Sequence, residues 1–567
     1  MGKNQRFCLD PKNRQYCETD RQREIFDYTA IHGSGVKVSA ALRDAGGKPI
    51  IPSNVEKMVK RIVKNKARRE EQGLQGPDEA QESSDKANVV VDKKVVSDNV
   101  KQIGSALGKK QATFVVTWAQ NATPVHTAFL ASLKQYCKAK DATLVVIPGR
   151  YKNATSIWTS EQEKSEYWAE EISPFLMNER IRLNPNIMVM ADIKIQPTGV
   201  RPLSGFDTIT GDSSGLFGAP KIQLKTVATP QNKLPKVLST TGAVTIDNYS
   251  DTKAGKKGEF HHSLGAVVVE VRDEHEYHMR HILATDEGTF IDLDMLCTPT
   301  GVGKAPRPLA LVMGDIHTEF MCPMCEDLTF FKDDGIIPTL NPEAIVLHDW
   351  YDGYSGSHHH HGKIFTKFAK HHSGRGNVEE EIRRTFERTK KWMATTKADF
   401  YIVGSNHNEH LTTWLEKGEP KHDPENALFY HKMMVKMLEK VTMEYNRASI
   451  PNPLQLLCEE DKDLQRLWFV DRDESLVIDE IECSQHGDKG ANGARGSINQ
   501  FDAVGVKTIT GHSHSPGIEG GAYRVGTNSV LRMEYNDGLS GWLNTDCLIY
   551  ANGKRALIHK INGKWRL

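Results

Sequence analysis

Pro308-Leu-Ala-Leu-Val-Met-Gly-Asp-Ile-His317 decides the reading of this chain. Its first half is an apolar run of strand length. Gly314 ends that run, and Asp315 and His317, two metal-ligating side-chain types, follow at once. The pattern recurs downstream. Ala344-Ile-Val-Leu-His runs into Asp349, Asp399-Phe-Tyr-Ile-Val-Gly into Asn406 and His407, and Leu476-Val-Ile-Asp-Glu-Ile-Glu-Cys leads toward His486. Gly505-Val-Lys-Thr-Ile-Thr-Gly leads into His512 and His514. Ligands bind α/β proteins where strands give way to loops. A lone Asp-x-His is chance; five strand-then-ligand junctions in sequence predict one site assembled from five loops.

The set Gly314-Asp-Ile-His317, Asp349-x-x-Asp352, Asn406-His407, His486 and Gly511-His-Ser-His514 resembles the calcineurin-like metallophosphoesterases, the superfamily of the Mre-eleven-type nucleases, purple acid phosphatases and protein phosphatases. The resemblance covers about 260 residues, 306–567. It implies a β-sandwich flanked by helices, holding two divalent metal ions. It further implies that Asp315, His317 and His514 hold the first ion, that Asn406, His486 and His512 hold the second, and that Asp349 bridges them. His407 then stands beside the site as the proton donor to the leaving oxygen. The chemistry is consistent with these types. A bridging carboxylate offsets the repulsion between two close dications. Imidazoles and an amide oxygen suit Mn²⁺, the expected ion, or Zn²⁺ and Fe, better than an all-oxygen site for Mg²⁺ would. Hydrolysis also needs an acid for the departing alkoxide, a task suited to histidine.

Two departures from the family pattern narrow the expected activity. The second motif lacks its arginine, reading Asp352-Gly353, and arginine grips a terminal phosphate by bidentate bonding. Its absence favours a phosphodiesterase over a phosphomonoesterase. The third motif, Ser405-Asn406-His407-Asn408, lacks the usual glycine and following acid. His358 to His361 form a histidine run read as a non-catalytic loop near the site. Lys363, Lys489 and Arg495 are candidates for contact with a nucleic-acid backbone. Cys322 and Cys325 stand at C-x-x-C spacing without the second pair a zinc ribbon needs, so they read as ordinary thiols.

Outward from this region the chain is expected to be α/β multidomain. Residues 1–70 read as a helix-turn-helix-like DNA-binding module. A helix capped by Thr19 or Asp20 runs through Ala30, a break follows at His32-Gly-Ser-Gly35, a small-residue helix covers 36–45, and a third helix opens at Ser53 or Asn54. On the third helix Val55, Met58, Val59, Ile62 and Val63 make one apolar stripe, and seven Lys or Arg lie between Glu56 and Arg69. Residues 71–99 read as a linker, opening on Glu70-Glu-Gln-Gly-Leu-Gln-Gly-Pro and the following Asp-Glu-Ala-Gln-Glu-Ser-Ser-Asp run, which have almost no large apolar side chains. Residues 100–305 read as an α/β middle domain: strand Thr113–Trp118, helix Pro124–Lys138 and strand Thr143–Pro148 start a parallel sheet, with further strands at Ile187–Met190 and Gly265–Val271. Its position suggests substrate guidance or assembly of a homo-oligomer. His261 and His262 have no ligand set around them.

Lys plus Arg and Asp plus Glu both number 73, so contact with nucleic acid must come from local patches rather than overall charge. No apolar run approaches the roughly 18 residues of a membrane span, and the polar N-terminus lacks a signal region. The nine scattered cysteines fit a reducing cytoplasm. With the phrases Gln120-Asn-Ala-Thr-Pro-Val-His126 and Ile147-Pro-Gly-Arg-Tyr-Lys152, the whole chain is similar to the pre-early first-step-transfer DNases of siphophages that inject their genome in two stages. That resemblance implies degradation of host DNA with Mn²⁺ or Mg²⁺ in the bacterial cytoplasm. The competing readings are a DNA-binding transfer or regulatory factor without turnover, and a small-molecule phosphatase or diesterase.

Overall fold

The computed structural model describes residues 103–109, 111–151 and 167–567, apart from 361, 445, 446 and 535, together with the helix Asp20–His32 and separate positions elsewhere among residues 1–101. The chain divides into two units. Met1–Asp92 with Ser165–Ser173 form one, and Lys93–Lys164 with Pro174–Leu567 form the other.

In the smaller unit the helix Asp20–His32 begins where the capping residues predict. Its Ile25 and Phe26 are buried with Val55, Val59 and Ile62, the centre of the expected stripe. Val63 is exposed, because it lies at the edge of that stripe on a helical wheel. The turn at 33–35, the helix at 36–45 and most of the basic segment 56–69 lie outside the described residues. Within the span read as a linker, the β-branched pair Val89–Val90 forms a short antiparallel ladder with Tyr167–Trp168.

The larger unit is mixed α/β with several sheets. Its first strand Ala112–Gln120, helix Thr127–Lys140 and strand Ala142–Gly149 make the expected β-α-β, with the strands parallel over eight paired residues. His126 caps the helix by accepting from the Phe129 N–H at 3.2 Å, and Phe129, Leu130, Leu133 and Tyr136 face inward. The sheet does not continue parallel. Gly265–Val271 pairs antiparallel with Ala112–Gln120, and Tyr277–Leu283 adds antiparallel to it in turn, because a connection of five residues can only make a hairpin.

The boundary expected between 305 and 306 does not separate two compact units. A ten-stranded sheet draws strands from both sides of it. Gln223–Val227 pairs antiparallel with Gly517–Glu519, placing Leu224 opposite Ile518. Beside that seam, buried Glu519 accepts from Lys221 Nζ at 2.9 Å and from Gln223 Nε2 at 2.6 Å. A buried charge needs such a partner, so the two regions fold as one body.

A six-stranded sheet, in the order Leu467–Val470, Asp399–Val403, Ala344–Leu347, Ala310–Val312, Thr545–Ile549, Arg555–His559, carries three of the predicted junctions. Its first four strands run parallel, and Thr545–Ile549 joins antiparallel. The helix Val378–Thr395 covers one face. Asn377 caps it through the Glu380 N–H at 2.9 Å, and Val378, Ile382, Thr385, Thr389 and Trp392 recur at helical spacing on the buried side. Trp392 stacks on Phe330, and Trp350 donates to Thr389 Oγ1 at 2.9 Å.

One buried polar network ties this core to the site. Asp546 Oδ1 accepts from the Gly314 N–H at 2.9 Å and from Asn528 Nδ2 at 2.8 Å, while Oδ2 takes Lys560 Nζ at 2.6 Å. Both Asp546 and Lys560 are buried. Asp546→Ala strands that ammonium and frees the backbone just before Asp315. A loss of about 3–5 kcal/mol is expected in chemical denaturation; a loss under about 1 kcal/mol would remove the network from the fold's support.

Candidate metal centre

Parallel strands release their chains on one side. The loops after Ala310–Val312, Ala344–Leu347 and Asp399–Val403 therefore emerge together, carrying Asp315 and His317, Asp349 and Asp352, and Asn406 and His407. From the ten-stranded sheet, Ile481–Glu482 and Lys507–Thr510 are also parallel, and deliver His486, His512 and His514 to the same place. Main-chain bonds fix the loops to one another. Ile316 N–H donates to His348 O at 2.9 Å, His317 N–H to Asp349 O at 2.8 Å, and Gly511 N–H to His486 O at 2.7 Å.

These loops bend sharply. Four site residues hold left-handed backbone: His317 (φ 46°), Asp349 (φ 43°), His512 (φ 71°) and His514 (φ 56°). For non-glycine residues that costs about 1–3 kcal/mol each, strain that other packing must hold in place. Gly511 is needed for a different reason: a Cβ there would lie 2.1 Å from Asp315 Oδ1.

The side chains converge. Ligand atoms of Asp315, His317, Asp349 and His514 all lie within 4.8 Å of one another, as do those of His317, Asp352 and His407. Asp315 Oδ2 is 3.1 Å from His514 Nε2, Asp349 Oδ1 is 3.2 Å from His486 Nε2, and Asp349 Oδ2 is 3.6 Å from His317 Nε2. Asp349 thus lies between His317 and His486, which the resemblance would assign to different ions. Asn406, His407, His512 and His514 line one cavity with Asp349, of about 480 Å³, while Asp315, His317 and His486 are buried. All eight residues singled out in the sequence are brought to this region.

Several polar atoms here contact one another without forming a well-aligned hydrogen bond. Both carboxylate oxygens of Asp315, Oδ1 of Asp349, Oδ1 of Asn406, Nε2 of His486 and Nδ1 of His317 and His514 are buried with no hydrogen bond. Each such atom costs about 1–3 kcal/mol, more where charged, and native interiors hold few of them. Concentrated at one point, in acceptor types that bind borderline dications, they fit divalent ions.

Electrostatics agree. Burial pushes His514 down to about 3, keeping its imidazole neutral as metal ligation requires, and pushes His348, behind the site, down to about 4. Burial raises Asp315 above the usual carboxylate range. Asp349 is held well below it: burial opposes the charge, but the surrounding histidines, His486 foremost, outweigh burial. His407 is pushed up to about 10, because Asp349 and Asp352 overcome the burial that would lower it.

Three partners were not assigned roles from sequence. Asp352 holds His407, with its carboxylate oxygen 3.2 Å from Nδ1 and its backbone carbonyl accepting from Nδ1 at 2.9 Å. A carbonyl only accepts, so Nδ1 carries the proton and Nε2 is the atom left to act. His348 Nδ1 lies 3.4 Å from His486 Nδ1, behind the site. His410 shares the Asp352 carbonyl, at 3.1 Å from its own Nδ1. The second acid of the Asp-x-x-Asp motif was a visible signal for the first of these; nothing in the spacing marked the other two.

Among the described residues no helix is long and apolar enough to cross a membrane. No known family profile matches the chain, and no solved structure matches it. One curated protein does: Protein A1 of Escherichia phage T5 is 33% identical over 484 residues, spanning 83% of this chain and 85% of the relative. Identity of that extent runs through both the middle region and the site-bearing region, and on it the chain belongs to the family of the phage T5 protein A1.

Proposed function

We propose that this phage-family protein is a two-metal phosphodiesterase of the calcineurin-like metallophosphoesterase type, acting as a DNase on host DNA. The observation that carries the reading is the meeting of orphaned buried carboxylate, amide and imidazole atoms from five loops around Asp349. Divalent ions bound there, Mn²⁺ first among the candidates, would supply Lewis acidity toward a phosphodiester and acidify a water near neutral pH. In this reading Asp315, His317 and His514 hold one ion, Asn406, His486 and His512 the other, and Asp349 both.

The chain's own groups then do the rest. Asp352 fixes the tautomer and orientation of His407, and its carboxylate, 3.2 Å from Nδ1, favours the protonated imidazole that would donate to the leaving oxygen. Where protein phosphatases carry an arginine, this chain has Gly353. A Cβ at that position would lie 2.4 Å from the His410 Cβ, so the room beside the motif is filled by imidazole rather than guanidinium. That arrangement supports a diester over a terminal phosphate. Lys363, His359 and His360 line the same cavity, with Lys363 and His359 exposed, where they could meet a polyanionic backbone.

The test is incubation of purified protein with linear and closed-circular duplex DNA and Mn²⁺, beside an Asp315→Asn control. Degradation by wild type alone supports the proposal, and cutting of the closed circle makes the protein an endonuclease. Intact DNA, with both ions verified by elemental analysis, overturns it. Turnover of small phosphoesters in that same sample would assign the site to a small-molecule substrate.

A further inference from the structure

A second histidine cluster stands beside the cavity, with His359 and His410 on its lining. His358 and His359 come from the short turn His358–His360, and His410 opens the helix His410–Lys417. Their rings lie 3.9 Å apart for His358 and His359, 5.8 Å for His358 and His410, and 6.1 Å for His359 and His410. One nitrogen from each falls within 4.8 Å of the others. Nitrogens around one tetrahedral ion sit roughly 3.3 Å apart, given bonds of about 2.05 Å, so modest side-chain rotation closes the set. His358 and His410 are half-buried and His359 is exposed, an arrangement with an open fourth position.

The helix histidine is oriented as a metal ligand would be. Its Nδ1 donates to the Asp352 carbonyl, leaving the Nε2 lone pair to give. Ligating imidazoles commonly anchor their second nitrogen on a backbone carbonyl in this way. Its place is also built by the loop, since only glycine at position 353 leaves room for it. A solvated run of histidines would need neither feature.

We propose that His358, His359 and His410 form a third metal site, separate from the buried centre and selective for borderline transition ions such as Zn²⁺, Co²⁺ or Ni²⁺. Three neutral nitrogens without a carboxylate disfavour Mg²⁺ and Mn²⁺, which prefer oxygen. An ion there links the loop 353–360 to the helix His410–Lys417. Because His359 and His410 also line the cavity, it fixes one wall of that cavity and adds positive charge where an anionic substrate enters. The site stands on its own geometry and does not depend on the phosphodiesterase reading.

The experiment titrates metal-free full-length protein with Co²⁺, reading bound ion per chain by elemental analysis and the visible absorption of the ion. It compares wild type, His358→Gln/His359→Gln and His410→Gln, each also in an Asp349→Asn background that disables the buried centre. Each substitution should remove one Co²⁺ per chain in both backgrounds, and Mn²⁺ loading should be unaffected. Far-UV circular dichroism confirms that the variants are folded. Unchanged Co²⁺ stoichiometry in either variant overturns the proposal. Loss in the loop variant with full retention in His410→Gln also overturns it, because the ion would then sit on the histidine run alone.

Discussion

Asp349→Asn is expected to lower DNA hydrolysis by at least about 10⁴-fold and to lower the number of tightly held ions in the buried centre. Asparagine is the right replacement because position 349 has left-handed backbone, which asparagine tolerates better than alanine does. The change preserves shape and removes one negative charge. That charge lies 3.2 Å from His486 Nε2 and 3.6 Å from His317 Nε2, between the two sets of ligands. Without it, two dications at close range lose the anion that offsets their repulsion, so both sites weaken together. Elemental analysis after dialysis, paired with a DNA-cleavage time course, reads both consequences. Wild-type turnover by a metal-loaded Asp349→Asn protein would refute the bridging assignment and, with it, the two-metal mechanism.

The second large effect separates chemistry from metal binding. His407→Asn should retain both ions and slow DNA cleavage by about 10² to 10⁴-fold, the usual range for losing a general acid. An activated aryl phosphodiester, whose leaving group departs without a proton, should be affected far less. The ratio of the two rates is the measurement. Equal losses on both substrates would show that His407 acts through positioning or ligation, and a drop in metal content would make it a ligand. The distances favour donation: Nδ1 is engaged by Asp352 through both carboxylate and carbonyl, which commits the other nitrogen to the cavity.

The convergence of these residues was legible because its signal is local. Each junction is a short apolar strand followed within a few residues by its ligand, and strand ends such as Val312 and Val403 can be read from periodicity alone. Pairing between strands distant in sequence has no such local mark. Nothing in Gln223–Val227 announces that its partner is Gly517–Glu519, so the region before 305 was read as a separate domain. The antiparallel pairing of Gly265–Val271 against Ala112–Gln120 was hidden for the same reason: a valine-rich run fits a parallel or an antiparallel neighbour equally well. The histidine run at 358–361 was visible as composition, but its meeting with His410 depends on how the loop folds back past Gly353.

The shared sheet has a consequence for the timing of synthesis. The strand that presents Asp315 has one neighbour at Thr545–Ile549, and the last two histidines of the centre arrive at 512 and 514. A ribosome adding about 5–20 residues per second needs roughly 10–40 s to travel from the first ligand to the last. Throughout that interval the nascent chain holds an incomplete set. Products terminated before residue 512 lack His512, His514 and the closing strand, and on the proposed reading would be inert. On the proposed reading, a cell making this protein would meet its chemistry only after residue 514 has emerged.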